Sequence, residues 1–102
     1  MNKTEIRISL LLSAQRALWG MIYPEIRAIA VGFDGLKNLK IIYYLDREPT
    51  EEDYESISEV ASEICADIEF LGVEEICIYT KELFSKLDNL ESWVYMRKEN
   101  ET

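Results

Sequence analysis

The sequence predicts a single α+β domain with two layers, in which two helices cover one face of a four-stranded, mainly antiparallel sheet. At 102 residues the chain has the length of one domain. Two segments carry apolar residues every three or four positions, as helices packed by one face do. Four others are short and rich in Ile, Val and Tyr, as strands are. Because hairpin-joined strands favour antiparallel pairing, the helices are expected on one side of the sheet.

The first half of the chain predicts one helix followed by a hairpin. Apolar residues at helical spacing predict a helix over 5–20, which Gly20 and Pro24 would end. Ile26–Phe33 is predicted as a strand with small and large residues on alternate faces. The dipeptide Asp34-Gly35 suits the positive φ angles of a tight turn, and Leu39–Asp46 is predicted as the returning strand.

The second half begins with a strong helix signal. Thr50 can serve as the N-cap, with Asp53 three residues later as its capping-box partner, and an apolar stripe then runs to about residue 69. The rest predicts a strand, a looser connection, a last strand and a frayed polar tail: Glu75–Thr80, 81–90, Ser92–Lys98 and 99–102. The predicted order is therefore αββ-αββ, within one domain over 1–102.

The acidic residues are distributed very unevenly. The formal net charge is −9, from twenty acidic and eleven basic residues. Eleven of the acids lie between Glu48 and Glu75, a segment without any Lys or Arg, so the remainder is slightly basic. A field of one sign on one face speeds the encounter with an oppositely charged surface.

The centre of this segment is an acidic ridge on the second predicted helix. Its members are Glu52, Glu55, Glu59, Glu63 and Asp67. The last four follow each other at four-residue steps and so share one helix face, where each like-charged pair costs roughly 0.2–0.5 kcal/mol. Glu74 and Glu75 are candidates to extend the ridge. The pattern predicts docking of a basic partner protein by these seven carboxylates.

A second interpretation is that the ridge is only a solvated helix face. The helix dipole favours acids near the N-terminus but opposes Glu63 and Asp67 near the C-terminus. Bases on neighbouring elements remain candidates to cancel the charge: Lys37, Lys40 and Arg97.

Other classes of function find little support in the residues. The chain has no His and no Gly-rich phosphate loop, so we expect no enzyme, no metal site and no cofactor. Acidic rows repel nucleic acid, and no apolar run suits a membrane span. Cys65 and Cys77 lack metal-ligand spacing and are expected to be buried free thiols. The absence of a leader-like N-terminus adds to the expectation of a cytoplasmic protein.

Several strings resemble parts of small bacterial proteins of about this length. These are Ala17-Leu18-Trp19-Gly20, Tyr23-Pro24-Glu25-Ile26-Arg27-Ala28-Ile29, Thr50-Glu51-Glu52-Asp53-Tyr54-Glu55, Ala61-Ser62-Glu63-Ile64-Cys65-Ala66-Asp67 and Trp93-Val94-Tyr95-Met96-Arg97. Together they resemble the single-domain immunity proteins that accompany secreted bacterial toxins, including contact-dependent inhibition systems. The resemblance implies an acidic inhibitor of a basic nuclease toxin in the cytosol of the producing cell.

Two functional hypotheses follow. The first is an immunity-type protein that neutralises a basic toxin domain, a nuclease, through the acidic ridge. The alternative is a non-catalytic structural or regulatory module, either a homodimer or an adaptor subunit. That module would use an open second sheet face with Tyr44 and Trp93 as aromatic anchors. The sequence leaves the oligomeric state open.

Overall fold

The computed structural model describes residues 2–99 and contains two α-helices, one 3₁₀ turn and four strands. In chain order these are α1 (Lys3–Ala17), β1 (Ile26–Asp34), β2 (Asn38–Leu45), α2 (Glu51–Asp67), β3 (Gly72–Tyr79), the 3₁₀ turn Phe84–Lys86 and β4 (Ser92–Met96). The α+β class is confirmed. Residues 100–102 of the predicted frayed tail lie outside the described residues.

The sheet is mixed, which corrects the prediction of a mainly antiparallel sheet. The strand order is β3-β2-β1-β4, and β1 pairs antiparallel with both β2 and β4. β2 and β3 run parallel over eight residue pairs, from Asn38 with Gly72 to Leu45 with Tyr79. The physical reason is the helix between them: a crossover through α2 returns the chain to the edge at which β2 began, so β3 starts beside the start of β2.

Both helices pack over one face of the sheet. One core cluster joins Leu10 and Ala14 of α1 and Ile57 and Ile64 of α2 with helix-facing strand residues such as Tyr43. α1 packs against α2 and reaches β4, while α2 lies over β2 and β3. This arrangement leaves a groove between the two helices on the outer surface of the molecule.

The other sheet face is covered by the chain between β3 and β4. Ala28, Ala30, Ile42 and Tyr44 form a second buried cluster there, against which the connection packs Phe84, Leu87 and Leu90. Gly32 permits the close approach, because a Cβ at that position would lie 3.0 Å from Leu90 Cβ. The open second face on which the alternative module depends is therefore covered by the chain itself.

An ion-pair cluster holds the end of the described chain against β1. The buried Arg27 donates two hydrogen bonds to the Glu99 carboxylate, at 2.9 and 2.8 Å, and a third to Thr80 O. Arg97 also donates to Glu99 and pairs with Asp46 at 2.7 Å. Glu99, which the sequence places in the polar tail, is thus tied to the sheet.

Candidate functional site

The acidic ridge lies on the outer side of α2, as the helical spacing predicts. α2 begins where the sequence places its cap, since the Asp53 carboxylate accepts a hydrogen bond from Thr50 N at 2.7 Å. The apolar stripe of Ile57, Val60, Ala61 and Ile64 is buried against the sheet. Because the apolar side of the helix is buried, all five ridge residues are exposed to solvent: Glu52, Glu55, Glu59, Glu63 and Asp67.

Three ridge residues line the interhelical groove between α1 and α2. Glu59, Glu63 and Asp67 form one wall of a depression of about 450 Å³, and the other wall includes Ser13, Arg16 and Ala17 of α1. A depression of about 400 Å³ at the start of α2 contains Glu52 together with Tyr23 and Arg47. The ridge therefore borders a concave surface that a partner's side chains can enter.

Asp67 is partly neutralised by α1. Its carboxylate accepts hydrogen bonds from Ser13 Oγ and from Arg16 Nη2, both at 2.7 Å. These two hydrogen bonds, with the charge of Arg16, lower the pKa of Asp67. Asp67 thus links the two helices, and its charge is less available to a partner than that of the other ridge acids.

The other four ridge carboxylates are not neutralised within the part of the chain that the structure describes. No ion pair there involves Glu52, Glu55, Glu59 or Glu63. Arg97, a candidate to cancel the ridge, is bound to Asp46 and Glu99 instead. Lys37 and Lys40 have no ion pair to the ridge either.

Glu74 and Glu75 belong to a different element from the ridge. They are neighbours on the edge strand β3, and successive strand residues point to opposite faces. Glu75 pairs in register with Ile41 on the helix-covered face, whereas Glu74 pairs with Lys40 on the other face. Glu74 borders a depression with Lys40 and Leu90, on the face opposite the helices. Burial first, and then the charge of Glu75, raises the pKa of Cys65 on α2, so of these two residues Glu75 lies on the α2 side of the sheet.

Asp53 is the acid of this segment that the fold buries completely. Its side chain has 0% exposure and accepts hydrogen bonds from Arg47 at 2.6 and 3.2 Å, from Tyr23 OH at 2.5 Å and from Thr50. Burial alone would raise its pKa, but these hydrogen bonds lower it to about 2. The capping box was visible in the sequence, whereas the contacts with Tyr23 and Arg47 carried no local signal.

The sheet face required by the alternative module is occupied from within the chain. Tyr44 is only 3% exposed and donates a hydrogen bond to Asp88 O at 2.7 Å. Trp93 packs edge-to-face on Tyr44 and on Phe84, with ring centroids 5.7 and 6.5 Å apart. Tyr44 and Trp93 therefore build the internal second cluster, and Tyr44 is not available as an exposed anchor.

Among residues 2–99, no group of three or more acidic or Cys side chains is placed to hold a metal ion. Cys77 is buried, Cys65 is half-buried, and both are free thiols. Burial, with smaller contributions from Asp53 and Glu75, raises the pKa of Cys77 to about 12, which keeps it protonated and unreactive.

No helix in the described part of the chain is both long and apolar enough to cross a bilayer.

The structure is thus a small α+β domain in which exposed carboxylates line a groove between two helices. The chain belongs to the MafI2 immunity protein family, because the model of that family matches residues 7–99. Membership confirms the resemblance to small bacterial immunity proteins and implies a toxin-immunity role with a cognate toxin as partner.

Comparison with other proteins adds little to the family assignment. No curated protein matches the chain. Among solved structures, "MamM-CTD H264A" is 16% identical, with 78% of this chain and 100% of that chain covered and a TM-score of 0.49. "MamM CTD W247A" is 15% identical, with 88% and 93% covered and a TM-score of 0.49. Similarity at this level carries no functional inference.

Proposed function

We propose that this chain neutralises a basic toxin domain, a nuclease, by binding it through the acidic ridge along the α1–α2 groove in the cytoplasm. Four ridge carboxylates carry the proposal: Glu52, Glu55, Glu59 and Glu63. All four are exposed, and no base within residues 2–99 forms an ion pair with them. This row of carboxylates does not stabilise the fold, because like charges one helical turn apart destabilise the helix that carries them.

The expected partner follows from the chemistry of the groove. A surface of clustered carboxylates attracts Lys and Arg side chains, which nucleic-acid-binding proteins carry to contact phosphates. A nuclease toxin would present such a basic surface around its substrate site. An inhibitor with an acidic groove could then cover that site and exclude the nucleic acid.

The proposal is tested with two double variants that change the net charge equally at different places. Glu59→Lys/Glu63→Lys reverses the charge of one wall of the groove, and Glu74→Lys/Glu82→Lys reverses two exposed acids that do not line it. The partner is the toxin domain from the adjacent gene whose growth arrest the parent chain relieves. We expect the groove variant to bind at least about tenfold more slowly at low salt, because charge complementarity mainly sets the association rate.

The control variant should lose much less, since it retains the groove while sharing the same net charge. Growth of cells that express the toxin gives the second readout, in which the groove variant should protect poorly. Equal association rates and equal protection for both variants would refute the assignment of the ridge as the docking surface.

A further inference from the structure

The outer surface of α1 carries large apolar side chains that the fold does not use. Its core-facing residues include Ile6, Leu10 and Ala14. On the opposite side Ile8, Leu12 and Trp19 are 52, 60 and 81% exposed. Their spacings of four and seven residues place them on one side of the helix and its C-terminal turn. We call these three residues the outer stripe.

One member of the outer stripe, Leu12, adjoins the acidic groove, while Trp19 lines a depression on the other flank of α1 with Ile22 and Tyr95. Arg16 and Asp67 line the depression that holds Glu59 and Glu63, and they also line a neighbouring depression of about 510 Å³. Leu12 forms part of that second depression together with Leu36, from the β1–β2 turn, which is 40% exposed. One trough therefore passes from carboxylates to exposed leucines across the Arg16–Asp67 ion pair.

The two parts of the trough have complementary energetic roles. Charge complementarity mainly raises the association rate, whereas most binding energy comes from a few buried anchors, among which Trp is enriched. Among the described residues, the groove beside Glu59 and Glu63 offers only Ala17 and Ala66 as apolar contacts. An interface limited to the ridge would form fast but would lack an anchor to hold it.

We propose that the outer stripe, with Leu36, is the apolar half of the same toxin-binding surface and that Trp19 is its anchor. This inference rests on the proposed function. The expected toxin surface has an apolar socket beside a basic patch, because the trough presents apolar side chains beside carboxylates. A second copy of this chain fits less well, since each copy carries a net charge of −9 and an unpaired acidic row beside the stripe.

The test separates the apolar half from the charged half through the two rate constants of toxin binding. Trp19→Ala and Leu12→Ser should leave the association rate nearly unchanged, because no charge is altered. Trp19→Ala should raise the dissociation rate at least about 30-fold, as loss of a hot-spot residue does. Leu83→Ser is the matched control, since it removes an exposed leucine from the connection over the other sheet face and should change neither rate.

Unfolding midpoints equal to that of the parent show that the variants are folded, and Leu12→Ser tests the stripe independently if Trp19→Ala is unstable. Parent-like dissociation rates for both variants would refute the apolar half while leaving neutralisation by the ridge intact. A parent chain that binds no toxin would refute both proposals. A parent dimer in sedimentation that Trp19→Ala converts to monomer would also overturn the inference.

Discussion

Asp53 shows how one buried side chain can fix the geometry of a binding surface. Its carboxylate joins the cap of α2 to Arg47 after β2 and to Tyr23 before β1. Tyr23 in turn has a raised pKa, first because it is buried and then because it donates to Asp53. The start of α2, and with it the position of Glu52, is therefore set by contacts from two other segments.

We expect Asp53→Asn to destabilise the protein by about 2 kcal/mol, because a neutral amide at this buried position weakens the hydrogen bonds that Arg47, Tyr23 and Thr50 donate to the carboxylate. Urea unfolding at neutral pH measures the loss. Glu52→Gln is the matched control, since it removes an exposed neighbouring charge without a partner in the described residues, and it should change the free energy of unfolding by less than about 0.5 kcal/mol.

The destabilisation caused by Asp53→Asn should depend on pH. Folding lowers the pKa of Asp53 from 3.8 to about 2, so its stabilising contribution is complete above pH 3.8 and is lost as the pH falls through about 2. The difference in unfolding free energy between parent and Asp53→Asn should therefore be constant well above pH 3.8 and should shrink as the pH falls from 3.8 to about 2. A difference that stays unchanged down to pH 2 would show that the carboxylate is not held ionised.

At the scale of whole elements, α1 and α2 form the binding surface jointly. Arg16 is the base in the wall of the acidic depression, and its pair with Asp67 joins the helices. Both side chains are substantially exposed, and exposed pairs contribute about 0–1 kcal/mol. The base therefore lowers the negative charge of the groove while adding little stability.

Arg16→Gln should consequently increase the negative charge of the groove, whereas the Glu→Lys changes decrease it. We expect unfolding free energy to fall by no more than about 1 kcal/mol. The association rate with the toxin should rise about twofold or more at low salt, because Asp67 then adds its charge to the groove. Stopped-flow binding measures the rate. Slower association would contradict an electrostatic role for the groove and would indicate that Arg16 itself contacts the toxin.

How far the sequence predicts each element depends on whether its signals are local. The cap of α2 and its buried stripe are local, so the helix and the exposed ridge could be predicted. The parallel pairing of β3 follows from its α2 crossover, a rule that the hairpin argument overlooked. A β-bulge near Ile29 and Ala30 sends Trp93 to the second face and Tyr95 to the helix face, although simple alternation predicts one face for both.

The candidate site was predictable in its charge and not in its shape. Glu55, Glu59 and Glu63 share a face by helix geometry alone. That Asp67 is bound by Ser13 and Arg16 depends on the packing of two helices, which joins residues more than fifty positions apart in sequence. The outer stripe was hidden for the same reason, because α1 has apolar residues on both sides and only the packed structure distinguishes them.

At the scale of the whole molecule, the uneven charge and the apolar stripe make a kinetic prediction for the parent chain. Between about 0.1 M and about 1 M salt the Debye length falls from about 10 to about 3 Å, which screens exposed charges. We expect the association rate with the toxin to fall at least about tenfold over this range. The dissociation rate should change little, because salt does not screen the apolar contacts of Trp19 and Leu12.

Glu59→Lys/Glu63→Lys provides the comparison. Its association rate should depend less on salt than that of the parent, and its dissociation rate should stay near the parent value. Trp19→Ala should do the reverse, with the full salt dependence retained on a faster-dissociating complex. If salt instead acted mainly on dissociation in the parent, the carboxylates would be holding the complex together rather than guiding its formation. It would then be wrong to assign the association rate to the carboxylates and the dissociation rate to the apolar side chains.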